Sequence, residues 1–138
     1  MDAENQKMLE EAKQFIKNAY APYSKIKIAS VILTEEGELF HGVNVENASY
    51  PEGVCSETSA ISHMISGGGK QVKKVFLLCD MPNPTLVATP CGGCRQRIAE
   101  FGTKDTEIVM TNMDQSVWAT YKLGDLLPHS FTLKDIYE

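Results

Sequence analysis

The run Val75-Phe76-Leu77-Leu78-Cys79 contains no polar residue. A strand with one wet face alternates apolar and polar side chains, whereas a strand covered on both faces is apolar throughout. This segment has the length of a strand, so it predicts a central strand with a layer on each side. The remaining chain supplies those layers. Between residues 4 and 19, apolar Met8, Ala12, Phe15, Ile16 and Ala19 recur at helical spacing, and Pro22 closes the segment. Residues 26–33 and 38–43 flank a Glu36-Gly37 turn and predict a hairpin. A second helix is predicted from about 55 to 66, ended by Gly67-Gly68-Gly69, and a third from Pro90-Cys91 to about Phe101. Residues 107–110 and 117–121 predict two further strands, and 123–128 a short helical turn. Helix, hairpin, then alternating helix and strand predict one α/β domain over residues 1–138, a mixed five-stranded sheet between helices in three layers.

Charge narrows the partners. With 13 Lys and Arg against 18 Asp and Glu, the net charge is −5. The basic residues are scattered and no aromatic ladder runs beside them, so the chain lacks the counterion-releasing surface of a nucleic-acid binder. No apolar run approaches the ~20 residues needed to cross a bilayer. The first residues, Met1-Asp2-Ala3-Glu4-Asn5-Gln6-Lys7, show neither a basic n-region nor an apolar h-region, and the expected location is the cytoplasm. Four cysteines in a reducing compartment point to metal ligands, catalytic groups or buried small residues, not disulfides.

Three of those cysteines stand where helices begin. Cys55 precedes the second helix, and Cys91 and Cys94 open the third, three residues apart and on one side of its first turn. Thiolates there face unpaired backbone N–H groups and the positive end of the helix dipole. Three ligands suit a catalytic zinc, which keeps its fourth position for water, and zinc brings that water's pKa to about 7. Glu57, two residues beyond Cys55, is placed to move protons beside such a water. Two other readings stand beside this one: a structural zinc completed by Cys79, and a thioredoxin-like redox pair. Cys79 lies in the apolar run and reads as buried filler.

Cys55-Ser56-Glu57 and Pro90-Cys91-Gly92-Gly93-Cys94 together resemble the zinc deaminase pattern. The chain also resembles the small homotetrameric cytidine deaminases nearly throughout. The matching segments are Tyr20-Ala21-Pro22-Tyr23-Ser24-Lys25, Gly42 to Pro51, Cys94-Arg95-Gln96 and Leu126-Leu127-Pro128-His129-Ser130-Phe131. The resemblance implies the cytidine-deaminase-like fold and the hydrolytic deamination of cytidine or deoxycytidine to the uridine analogue and ammonia. It implies zinc held by Cys55, Cys91 and Cys94, with Glu57 as proton shuttle. It implies that Asn44 and Glu46 hydrogen-bond the sugar hydroxyls and that the Ser56 backbone N–H binds the pyrimidine carbonyl. It further implies a homotetramer in which Ala48, Tyr50 and Phe131 reach a neighbouring subunit's site.

Four departures qualify the resemblance. Thr58 stands where the family usually has an Arg donating to the thiolates, and Arg97 is a candidate substitute. Ile26 stands where a Phe usually packs on the base, removing an aromatic contact worth about 0.5–1.5 kcal/mol. Ser56 replaces an Ala while keeping its N–H, and Ala29-Ser30-Val31 replaces Gly-Ala-Ala, bringing bulk toward the pocket floor. These changes keep two alternatives open: a deaminase of a modified cytosine nucleoside or nucleoside antibiotic, and a catalytically weak zinc- and nucleoside-binding protein. Glu46 argues against the blasticidin type, which lacks that carboxylate. His41 and His63 read as surface residues, His129 as structural, and Trp118 and the methionines as core.

Overall fold

The side chain of Asp2 accepts the Asn5 backbone N–H at 2.7 Å and caps the first helix, α1 (Ala3–Phe15). The computed structural model describes residues 2–137, so Met1 and Glu138 of the expected 1–138 domain lie outside the described residues. The apolar periodicity of residues 4–19 overstates α1, because the chain tightens into a 3₁₀ turn at Ile16–Asn18. β1 (Lys27–Thr34) and β2 (Leu39–Val43) form the hairpin, with Gly37 at φ 92° supplying the left-handed turn conformation. Then follow α2 (Ser56–Ser66), β3 (Val72–Asp80), α3 (Gly92–Phe101), β4 (Glu107–Asn112) and β5 (Trp118–Lys122). Two single-turn helices end the chain, α4 (Leu123–Leu126) and α5 (Lys134–Tyr137), the second of which has no counterpart in the sequence reading.

The strands lie in the order β2-β1-β3-β4-β5, with only the β3–β4 pair parallel. The apolar run is indeed central, and the pleat divides its side chains. Phe76 and Leu78 pack with Met8, Leu9 and Ala12 of α1, together with Ala29, Val31 and Leu33 of β1. Val75, Leu77 and Cys79 face the other way, toward Ala60, Ile61 and Met64 of α2 and Ile98 of α3. The three-layer expectation holds. Lys74, 3% exposed, fastens α1 to β3 by reaching the Asn5 side chain at 3.0 Å and the Glu4 carboxylate at 3.1 Å.

Two core assignments need correction. Trp118 is 38% exposed, because β5 is an edge strand whose face is only partly covered; its ring meets Phe76 edge-on at 6.0 Å. Met113 is exposed as well, in the turn between β4 and β5, whereas Met8, Met64 and Met110 are buried. His41 is less superficial than expected: its ring stacks on Phe15 at 3.6 Å, and its Nδ1 lies 2.9 Å from Glu11.

Gly42 sets the height of α2 above the sheet. A Cβ there would lie 2.3 Å from the Ala60 nitrogen and 2.7 Å from the Ser56 carbonyl oxygen, both backbone atoms that cannot swing aside. We expect Gly42→Ala to destabilise the fold by about 3 kcal/mol, the upper range for overpacking. Urea unfolding checks this; a variant as stable as the parent would show that α2 can lift without penalty.

Candidate active site

The N-termini of α2 and α3 converge, and the cysteines sit at that convergence. Cys55 is the N-cap residue of α2 and Cys91 that of α3. Cys94 lies one turn into α3 and is fully buried. The three sulfur atoms all lie within 4.8 Å of one another. Cys79 stays apart, its Sγ accepting the Ala88 N–H at 3.3 Å, in keeping with its reading as filler. The sulfur cluster comprises Cys55, Cys91 and Cys94 without it.

The sulfurs differ in acidity. The Cys91 thiol is held below the usual range, first by the Cys94 backbone N–H and also by that of Gly93. Burial pushes the Cys94 thiol far up, and the Glu57 charge and the other two sulfurs push it further. Cys55 is raised, mainly by burial, while the Arg97 guanidinium pulls the other way. Arg97 folds back along α3: a Cβ on Gly93 would lie 3.0 Å from its Nη1 and 4.0 Å from the Cys91 sulfur. Arg95 is committed elsewhere, donating to the carbonyls of Pro90 and Leu126.

Glu57, in the first turn of α2, is 7% exposed, and its charge acts on all four cysteines. Its Oε1 accepts the Ser56 hydroxyl at 2.9 Å, and Ser56 Oγ lies 2.7 Å from Ser30 Oγ. Of the three residues expected to thicken the pocket floor, Ala29 and Val31 point to the α1 side and only Ser30 faces α2.

The other expected site residues stand in connecting segments. Asn44 is engaged with the chain itself: Oδ1 accepts the Ile28 N–H at 2.9 Å and Nδ2 donates to the Ile26 carbonyl at 2.7 Å. Glu46 accepts from the backbone N–H groups of Tyr23 and Ser24 and from the Ser24 hydroxyl, which hold its carboxyl below the usual range. Ser24 was not anticipated, though its place in the Tyr20–Lys25 segment was visible. A hollow of about 390 Å³ opens beside Glu46, lined by Tyr23, Ser24, Asn47, Tyr50 and Gly53 and by none of the cysteines. Tyr50 and Phe131 are 79% and 65% exposed, and Ala48 is exposed too. Phe131 is tethered to α3 through its carbonyl, which accepts from the Gln96 side chain at 3.0 Å.

The family model for the cytidine and deoxycytidylate deaminase zinc-binding region matches residues 2–110, a stretch that includes all three clustered cysteines. The chain belongs to this deaminase family. A cytidine deaminase of Sporosarcina psychrophila is 35% identical over 136 residues, covering 99% of this chain and 96% of the relative. One from Mycoplasma pneumoniae is 41% identical over 119 residues, 86% of each chain. The crystal structure of a cytidine deaminase from Burkholderia pseudomallei superposes with a TM-score of 0.81 at 36% identity, covering 95% of this chain and all of that one. The deaminase fold and a zinc-binding region are therefore properties of this chain.

The donor set fits that metal. Zn–S bonds of about 2.3 Å at tetrahedral angles place sulfurs about 3.8 Å apart. The cluster in this deaminase-family chain is nearly that tight already. In metal-free protein, iodoacetamide should modify Cys91 first, then Cys55, whose thiol is exposed but raised, and buried Cys94 and Cys79 last. Zinc should protect the first two, as peptide mass spectrometry would show; equal labelling with and without zinc would separate them from the metal. Arg97→Ala should loosen zinc in competition with a chelator, and adding Thr58→Arg should restore it. A variant that holds zinc as tightly as the parent would leave Arg97 without an electrostatic part.

Proposed function

We propose that this chain deaminates cytidine or deoxycytidine hydrolytically, yielding the uridine analogue and ammonia. The observation that carries this reading is a buried carboxylate, Glu57, in the first turn of the helix that also presents one of three clustered sulfurs. The relatives named cytidine deaminase support the choice of substrate. Cys55, Cys91 and Cys94 would hold zinc, which supplies a hydroxide nucleophile at neutral pH by lowering the pKa of coordinated water.

Glu57 takes up a proton from the attacking water and delivers it to ring N3, which makes C4 electrophilic. After attack at C4, Glu57 carries the remaining hydroxyl proton to the exocyclic amine, which departs as ammonia. Each such transfer contributes roughly 10²–10⁴-fold. The backbone N–H of Ser56 stands at the first position of α2, where no helical carbonyl precedes it, and binds the pyrimidine carbonyl. Asn44 and Glu46 bind the sugar hydroxyls, and Ile26 lies along the base.

The exposure of Tyr50, Phe131 and Ala48, and a hollow that borders Glu46 but not the cysteines, support a homotetramer with shared sites. In that assembly, these three residues complete a neighbour's pocket. No helix among the described residues is long and apolar enough to cross a membrane. Conversion of cytidine to uridine is chemistry of pyrimidine salvage, and the relatives named cytidine deaminase support that role.

Glu57→Gln should retain zinc and lower ammonia release from cytidine by at least about 10²-fold. Metal analysis and loss of cytidine absorbance measure both. Loss of zinc in the variant would make the glutamate structural instead. A panel of cytidine, deoxycytidine, 5-substituted cytidines and blasticidin separates the proposed activity from that of a modified-nucleoside deaminase.

A further inference from the structure

Ser30 and Ser56 enter the sequence as two unrelated departures, one on a strand and one on a helix. In the fold they meet. Ser30 is 0% and Ser56 1% exposed, their hydroxyl oxygens are 2.7 Å apart, and the Ser56 hydroxyl is 2.9 Å from Glu57 Oε1. Ser30 lies between Ile28 and Ile32 on β1, residues of the face that packs beneath α2, so the pleat aims its hydroxyl at that helix. Each hydroxyl has one proton to give.

Among the described residues, Ser30 Oγ has no hydrogen-bond partner other than Ser56. The Ser56 proton goes to the Glu57 carboxylate, which accepts, so Ser56 has none left for Ser30. Every proton is then placed: Ser30 donates to Ser56, and Ser56 donates to Glu57 Oε1.

We propose that Ser30 and Ser56 are positioning residues that hold Glu57 by Oε1 and so leave Oε2 as the oxygen that carries the transferred proton. The pair fixes the carboxylate plane from two rigid elements, β1 and α2, through hydroxyls distinct from the Ser56 N–H that meets the base. Ser30 acts only through Ser56. The inference rests on Glu57 being the proton carrier of the proposed deamination.

A double-mutant cycle tests it on the zinc-loaded protein with Ser30→Ala, Ser56→Ala and the pair. Ser56→Ala should lower kcat on the order of 10-fold, the lower range for a hydrogen bond to a charged group, with KM unchanged. Ser30→Ala should lower kcat by less, about threefold, since the Ser56–Glu57 bond survives it. The double variant should be no slower than Ser56→Ala. Urea unfolding supplies a readout apart from activity: Ser56→Ala alone strands the Ser30 hydroxyl, so it should be less stable than the double variant.

Losses in kcat that multiply, or a change confined to KM, would overturn the positioning role while leaving deamination intact. A parent protein that holds zinc yet releases no ammonia would overturn the functional reading, and this inference with it.

Discussion

Three sulfur atoms crowded within 4.8 Å, one of them buried, form an arrangement that disfavours its own ionisation. Each thiolate repels the next, Glu57 adds a further negative charge, and burial removes the water that would screen them. A divalent cation reverses every one of these effects at once. The helix N-termini contribute in the same sense, with the N–H groups of Gly93 and Cys94 directed at the Cys91 sulfur. The cluster thus makes sense as a cation site, and its position depends on how closely α2 lies against β2. Gly42 permits that approach, with helix backbone where a side chain would otherwise stand.

Much of the architecture was legible because the relevant signals are local. The unbroken apolar run of β3 announces coverage on both faces, and cysteines at two helix starts announce a shared ligand. What escaped depends on neighbours distant in sequence. Trp118 is an apolar aromatic of the core type, but its burial depends on what covers β5, and β5 is the last strand of the sheet. The last turn of the opening helix is apolar at the right spacing, yet the chain departs toward β1 before completing it. Ser30 read as added bulk because no sequence pattern says which hydroxyl it faces across 26 residues of chain.

The site also shows two kinds of support. Cysteines, Glu57 and the serines stand on helices and a strand, where neighbouring backbone constrains them. Asn44, Glu46 and Ile26 stand in connecting segments. Arg97 belongs to the first group: one helical turn beyond Gly93, it folds back over the N-terminus of its own helix and brings a positive charge to the thiols.

Asn44 and Glu46 are already occupied before any ligand arrives, by the backbone of residues 23–28. Neither side chain is saturated by those bonds: the carboxylate and the amide oxygen each keep an unused lone pair, and the amide nitrogen a second hydrogen. A sugar in the proposed role can therefore add to them while residues 23–28 stay fastened, so the frame that presents both side chains is assembled before a ligand arrives.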